Sequence, residues 1–367
     1  MTTATTRSSV TVLESTVNVR RRPDNPPRVS VVIPCYNYAR YLPHAIGSVL
    51  GQEFVDVDVV VVDDASSDDS VAVAKGMANR DARVRVLTHT RNAGPVQTFN
   101  DGLAEAEGEY LVRLDADDLL TPGSLARATA FAESHPTAGL IYGHPVHFSD
   151  GIPATFRGQV TRWVLWEGRS WLDERVRRGC NCITSPEVLM RKSVVEAVGG
   201  QRALPHAHDM EMWMRIARSS DVGWLSGCDQ AWHREHAGSL SVAMGDVIVE
   251  LEERHAAFET LFGDGVDPVA GAIGLKAAKR SLAAEALGRG VAAYARGRGG
   301  TPETQAYEAF ARGLGVDVSE SPESRMFALA VSLGPSRAVR SARLIGWAAR
   351  RRLANNLSTR QRWRTGL

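Results

Sequence analysis

The sequence lacks most of the features that assign a chain at a glance. Its 367 residues carry four cysteines (Cys35, Cys180, Cys182 and Cys228), too few and too irregularly spaced for a disulfide framework, so they read as reduced thiols. Cys180 and Cys182 have no second pair at zinc-site spacing. No stretch approaches the roughly 20 apolar residues of a membrane span, which leaves peripheral contact as the form of membrane association open to it. Residues 1–27, MTTATTRSSVTVLESTVNVRRRPDNPP, contain no apolar core of a signal peptide and read as a disordered tail. A net charge of +1 gives no electrostatic footprint for nucleic acid. No Gly-x-Gly-x-x-Gly follows the first apolar run and no P-loop occurs, which argues against a dinucleotide dehydrogenase and a P-loop enzyme. With 44% hydrophobic and 23% charged residues, the chain reads as a cytoplasmic globular protein with room for a large domain and a smaller one.

What is present begins at Arg28. RVSVVIPCYN is a continuous apolar run closed at Pro34, the pattern of a strand buried on both faces. ARYLPHAIGSVLGQ then sets Leu42, Ile46, Val49 and Leu50 at helical spacing. VDVVVVDDASSDDS is a second buried strand ending at Asp63 and Asp64; SVAVAKGMANRD reads as helix, RVRVLTHT as strand, VQTFNDGLAEA as helix and EYLVRLDADD as strand. This alternation predicts a doubly wound α/β sheet, in which ligands sit beyond the carboxyl ends of the strands. From Gly139 onward the pattern is mixed, and VGWLSGCDQAWHREHAGSLS predicts a strand pair running into a loop. After about Gly245 helical periodicity dominates. The boundaries expected are a tail over 1–27, an α/β domain over 28–245, a helical domain over 246–335 and a basic amphipathic helix over 336–367.

One short stretch carries most of the chemistry. In LDADD, Asp115, Asp117 and Asp118 put three carboxylates within four positions, where they repel one another. A divalent cation relieves that repulsion, and oxygen ligands without cysteine favour Mg²⁺ or Mn²⁺. The alternative is a solvated turn capping the following LLTPGSLARATAF helix. The surroundings bear on this choice. VSVVIPCYNYARYLPHAIGSVLGQ, VVVVDDASSDDS, RNAG, GEYLVRLDADDLLTPGSL and HDMEMWMRIA occur in this order. That series resembles the family 2 glycosyltransferases, the large inverting class with a GT-A fold, over roughly Arg28 to Ser241.

The resemblance implies roles position by position. Pro34, Tyr36 and Asn37 would make the first nucleotide contact, with Tyr36 over the base, and Asp64 would hydrogen-bond the base or ribose. Arg91 would reach a phosphate. Asp115 and Ala116 would line the ribose side, Asp117 would hold the metal that bridges the diphosphate, and Asp118 would support either. Asp209 would be the general base, at a position that also suits a helix cap. His236 or His233 would reach the metal. The chain departs from the family at Ala65, where glycine is usual, at His208, which replaces an acid, and at Glu211, which replaces an aspartate.

The implied activity is transfer of a sugar from a nucleotide diphosphate-sugar, most commonly a UDP-sugar in this family, to the hydroxyl of a carbohydrate, glycolipid or secondary-metabolite acceptor. The acceptor surface is expected near GCNCITSPEVLMRK. A non-catalytic nucleotide-sugar-binding or assembly module of the same fold is the alternative, and an oligomer is compatible with either. After Glu323 the chain has no acidic residue and many arginines. Its last helix can lie on anionic lipid at the inner face of a membrane, with Val339, Ala342, Ile345, Ala349 and Leu353 on one face, or pack on its own protein with solvated arginines.

Overall fold

The computed structural model of the protein describes residues 10–13, 24–236, 238 and 247–367. By internal contacts the chain forms two compact units, one of residues 1–172, 182–242 and 363–367, the other of residues 173–181 and 243–362. The boundary expected at 245 lies outside the described residues.

The first unit is built on a mixed sheet. Strand β1 spans Val10–Leu13 and β2 Arg28–Cys35; helix α1 (Leu42–Leu50) leads to β3 (Asp56–Asp63) and α2 (Ser70–Ala78). Then come β4 (Val84–Thr88), α3 (Pro95–Ala104), β5 (Tyr110–Arg113), the two-residue β6 (Leu119–Leu120) and α4 (Ser124–Ser134). The remainder of the unit holds β7 (Ala138–Phe148), β8 (Arg162–Trp166), the start of α5 (Gly168–Arg178, which from Asp173 onward belongs to the other unit), β9 (Val188–Arg191), α6 (Lys192–Val198), α7 (His208–Ser219) and β10 (Asp221–Arg234). Among the described residues nine strands run β1-β8-β10-β7-β9-β5-β2-β3-β4, and β6 pairs with β10. The strands β5, β2, β3 and β4 are mutually parallel, which points their carboxyl ends to one edge.

These elements follow from their sequences. Val29, Val31, Val32 and Ile33 of β2 and Val59 to Val62 of β3 are fully buried, as a strand covered on both faces requires. Leu42, Ala45, Ile46 and Val49 form the buried face of α1. In α3, Gly102 is needed for close approach, because a Cβ there would stand 2.4 Å from Val32 Cγ1 and 2.8 Å from Val62 Cγ2.

Two expectations are corrected here. Four residues of the expected tail form β1, whose Val-Thr-Val-Leu alternation pairs antiparallel with β8, Val10 opposite Trp166 and Leu13 opposite Trp163. The strand pair expected over 222–241 is a single bent strand, β10. Its first half pairs with β8 and its second half with β6, while β7 pairs with both halves, at 221–224 and from Asp229 to Arg234. Gly227, at φ 88°, takes up the bend within the irregular register between Trp224 and Asp229.

The second unit is helical: α8 (Val247–Gly263), α9 (Pro268–Ala295), α10 (Pro302–Gly313), α11 (Pro322–Leu333), the short α12 (Pro335–Ala338) and α13 (Ala342–Thr365), which belongs to this unit as far as Arg362. Asp267, Thr301 and Ser321 cap α9, α10 and α11 with side-chain oxygens, each followed by a proline at the first helical position. Leu282, Ala286 and Val291 of α9 are fully buried at its centre. The amphipathic helix expected from 336 is broken between Ala338 and Ala342, so Val339 stands outside α13. Among the described residues no helix is long and apolar enough to cross a membrane, and none of the four cysteines is in a disulfide.

Candidate active site

The carboxyl end of β5 delivers the acidic cluster. Asp115 is the most accessible of the three and pairs with Arg113, Nη2 to Oδ1 at 2.8 Å. Asp117 and Asp118 are buried. Burial raises the Asp117 carboxyl, and the Asp115 carboxylate raises it further, against an opposing contact from His236. Asp118 is pushed up to about 7, again chiefly by burial, although His233 opposes the shift.

The end of β10 closes over this cluster and gives the two histidines different partners. His233 Nδ1 meets Asp118 Oδ2 at 3.0 Å, and Asp118 Oδ1 accepts the Arg234 backbone N–H at 2.7 Å. Burial alone would lower His233, but the Asp118 carboxylate holds it up to about 9. His236 Nε2 instead lies 2.9 Å from Asp117 Oδ2. Asp118 therefore anchors the closing segment, and Asp117 shares its open side with His236. Around His236 stand Tyr41, stacked at 5.3 Å between ring centres, and Tyr38 edge-on at 6.1 Å. Arg234 lies over Tyr41 at 4.8 Å. Burial, and then the carboxylates Asp117, Asp115 and Asp118, push the Tyr38 hydroxyl well above its ordinary value.

Asp209 enters from α7, one residue into the helix. Its Oδ2 accepts from Ser185 Oγ at 3.2 Å and its Oδ1 from the Met210 N–H at 2.6 Å. Burial lifts the carboxyl to about 6, against the lowering influence of Arg113 and these two donors. Arg113 is the electrostatic link between the two halves of the site. It pairs with Asp115, approaches His208 Nε2 at 3.5 Å and acts on Asp209. Burial and the Arg113 cation depress His208 to about 3, so the residue standing where the family has an acid is a neutral imidazole. Glu211, at the other departure, pairs with Arg215 at 2.8 Å inside the helix packing.

The loops after β2 and β3 are knitted together. Asn37, at φ 61°, donates its N–H to Ser66 Oγ, and its Oδ1 accepts from the Ser67 and Asp68 N–H groups. Tyr36 is 46% exposed beside it. Ala65 sits at φ 61°, which is why glycine is the usual residue there. Asp64 accepts from His89 Nδ1 and the Ala93 N–H on Oδ1 and from the Gly94 N–H on Oδ2. Burial would raise this carboxyl, but those donors hold it below its ordinary value. Asp64 thus fastens the loop that carries the exposed Arg91. Its neighbour Asp63, the other half of the aspartate pair at the end of β3, has a buried Oδ2 with no hydrogen-bond partner among the described residues.

The structure brings Pro34, Tyr36, Asn37, Asp64, Asp115, Ala116, Asp117, Asp209 and His236 to the strand ends and loops of one unit. Arg91 is on the same side of the sheet, on the loop after β4, but makes no contact with the acidic cluster among the described residues. Missed by the sequence were Arg113, Ser185 and the pair Tyr38 and Tyr41. Ser185 carried a signal only in its Ser-Pro-Glu context. There Glu187 accepts from the Thr184 N–H at 2.7 Å and the Ser185 N–H at 3.2 Å, fixing Ser185 at φ 129°.

A metal is tested by the donors present. Among the described residues no three His, Cys, Asp or Glu side chains converge as a protein-only cage. Asp117 and His236 place an oxygen and a nitrogen donor 2.9 Å apart with Asp115 nearby, and the crowding that raises Asp117 is what a cation would relieve. This fits an ion that completes its shell with phosphate oxygens and water.

Comparisons with known proteins bear on the family and the fold. The family model described as glycosyl transferase family 2 matches residues 30–199. EpsE of Bacillus subtilis, classed among the glycosyltransferases, is 34% identical over 217 residues, covering 54% of this chain and 69% of that protein. An uncharacterized glycosyltransferase of Haemophilus influenzae is 33% identical over 29% of this chain, and the chain spans 43% of that relative's length. The crystal structure of S. aureus TarS in complex with UDP-GlcNAc superposes with a TM-score of 0.52 at 19% identity, covering 92% of each chain. The fold is the GT-A arrangement of these proteins.

Proposed function

The chain belongs to glycosyl transferase family 2, and on that premise we propose that it moves a sugar from a nucleotide diphosphate-sugar, a UDP-sugar first, to an acceptor hydroxyl with inversion at the anomeric carbon. The observation that carries this reading is Asp209. It is a carboxyl raised to about 6, held by Ser185 and Met210, and coupled through Arg113 to the acidic cluster on β5. A base with that affinity is deprotonated at neutral pH yet close enough in strength to take a proton from a hydroxyl as the bond to the sugar forms.

Asp117 and His236 would hold Mg²⁺ or Mn²⁺, which when bound neutralises charge on the leaving diphosphate. Asp115, fixed by Arg113, and the Asn37 loop with Tyr36 would orient the ribose and base. Asp118 holds β10 so that His236 stays over Asp117. Alignment of donor and acceptor supplies much of the rest. The acceptor, a carbohydrate, glycolipid or secondary metabolite, would approach past the Thr184–Glu187 turn that positions Ser185 on Asp209.

The test is donor binding and hydrolysis across a nucleotide-sugar panel with Mg²⁺ or Mn²⁺, for the natural protein, Asp117→Asn and Asp209→Asn. Metal-dependent binding of one donor, lost in Asp117→Asn and kept without turnover in Asp209→Asn, supports the reading. Unimpaired turnover in Asp209→Asn removes the base assignment. Binding without turnover in the natural protein, with any acceptor, makes it a binding module instead.

A further inference from the structure

The second unit carries a surface that the sugar-transfer chemistry does not use. Residues 324–367 contain ten arginines and neither aspartate nor glutamate. Helix α13 packs inward through Leu344, which is fully buried, through Arg351, whose guanidinium lies against Gly288 of α9 and over Trp347 of its own helix at 5.3 Å, and through Ser358, whose hydroxyl accepts from Arg178 at 2.6 Å. Arg351 also reaches Glu323 at 3.3 Å. The outward side is different. Ile345, Ala349, Leu353 and Leu357 follow one another at four-residue steps, and the three large ones are 46%, 60% and 54% exposed. At about 100° per residue the four form one apolar stripe. Arg343 and Arg350 flank it on one side and Arg352 on the other, all exposed, and among the described residues none of the three has an ion-pair partner.

From this arrangement we infer that the outward face of α13 is a docking surface for a bilayer containing anionic phospholipid. An apolar stripe bordered on both sides by arginines matches the boundary between lipid headgroups and acyl chains. The aliphatic groups leave water, while the guanidiniums stay at the depth of the phosphates. Charge of a single sign argues against a second copy as the occupant, because two such faces would bring arginine against arginine. Since the opposite face of α13 is committed to its own unit, the helix lies on the surface and does not insert. The inference is independent of the catalytic reading.

The experiment is vesicle flotation of the full chain, with vesicles of equal parts phosphatidylglycerol and phosphatidylcholine against phosphatidylcholine alone, at low and high salt. Binding to the anionic vesicles only, weakened by salt, is expected. The triple change Arg343→Gln, Arg350→Gln and Arg352→Gln is expected to lower partitioning about a hundredfold. The double change Leu353→Gln and Leu357→Gln is expected to lower it about tenfold or more. Thermal melting and donor binding should be unaltered in both variants, which separates lost docking from lost folding. Equal binding to neutral vesicles, binding to neither, or binding indifferent to both variants overturns the inference. So does a concentration-dependent dimer, seen by sedimentation velocity, that the leucine variant dissolves; the face would then join two copies.

Discussion

At the scale of single residues the site depends on carboxyls held in unlike states. Asp209 at the start of α7 and Asp64 just after β3 are both acidic side chains that burial would raise, yet one is raised to about 6 and the other lowered. The difference is in their donors: two for Asp209 against a large desolvation, and three for Asp64, two of them backbone N–H groups. Asp209→Asn is expected to cut turnover by about 10²–10⁴ while sparing donor binding. Because the folded state holds the Asp209 proton more tightly than the unfolded chain, ionising it costs stability as pH rises through about 6. The same variant is therefore expected to melt higher at neutral pH, by about 1–2 kcal/mol of unfolding free energy. The rate should rise with pH through a midpoint near 6. Arg113→Met should move that midpoint upward, since Arg113 is the first of the influences that lower Asp209, and should weaken donor binding through the unpaired Asp115. A rate profile on the variant checks both.

At the scale of elements, backbone geometry supplies the testable points. Ala65 holds a left-handed conformation between β3 and α2 that costs an alanine about 1 kcal/mol. Ala65→Gly should therefore stabilise the protein by up to about 0.5 kcal/mol in a denaturant titration, after the added freedom of the unfolded chain is subtracted. Gly102→Ala should do the reverse, by about 1–3 kcal/mol, because its Cβ would push against Val32 and Val62 in the middle of the sheet. The long strand β10 shows why a pattern of apolar residues alone misreads an element. Its sequence has a Gly-Cys-Asp break at 227–229 that resembles a turn, but β7 pairs with it on both sides of the break, at 221–224 and again from Asp229, so the break becomes a bend. That bend sends the last residues of β10 toward β5 and sets His233 and His236 on neighbouring aspartates.

At the scale of the whole molecule, stability should have a limb on each side of neutrality. Asp64 and Glu285 are held below their ordinary values, for Glu285 by Arg254 and Arg289 against its burial. Their contributions are present above the unfolded carboxyl range and are lost as pH falls through the folded values. His233 is raised to about 9 from 6.5, so its contribution is complete below 6.5 and is lost as pH climbs to about 9. Melting temperatures across pH should thus fall at both ends, and His233→Gln should flatten the alkaline limb while leaving the acid one.

The sequence by itself determined the buried parallel strands and their order, because runs such as VSVVI and VVVV admit no polar environment and alternate with helical spacing. It also determined which carboxylates crowd, since Asp115, Asp117 and Asp118 are neighbours in the chain, and it placed Asp209 at a helix start. Only the tertiary structure decided which histidine meets which aspartate, because Asp117 and Asp118 face different ways and the bend in β10 lies more than a hundred positions away. It alone brought Arg113 between Asp115 and Asp209, assigned Asp64 to the loop that carries Arg91 and left one Asp63 oxygen without a partner among the described residues. It also decided which face of the basic C-terminal helix is spent on packing. The physical reason is common to all of these. Burial and local pairing are written along the chain, whereas the partner of a charged group is chosen by whichever distant element the fold carries to it.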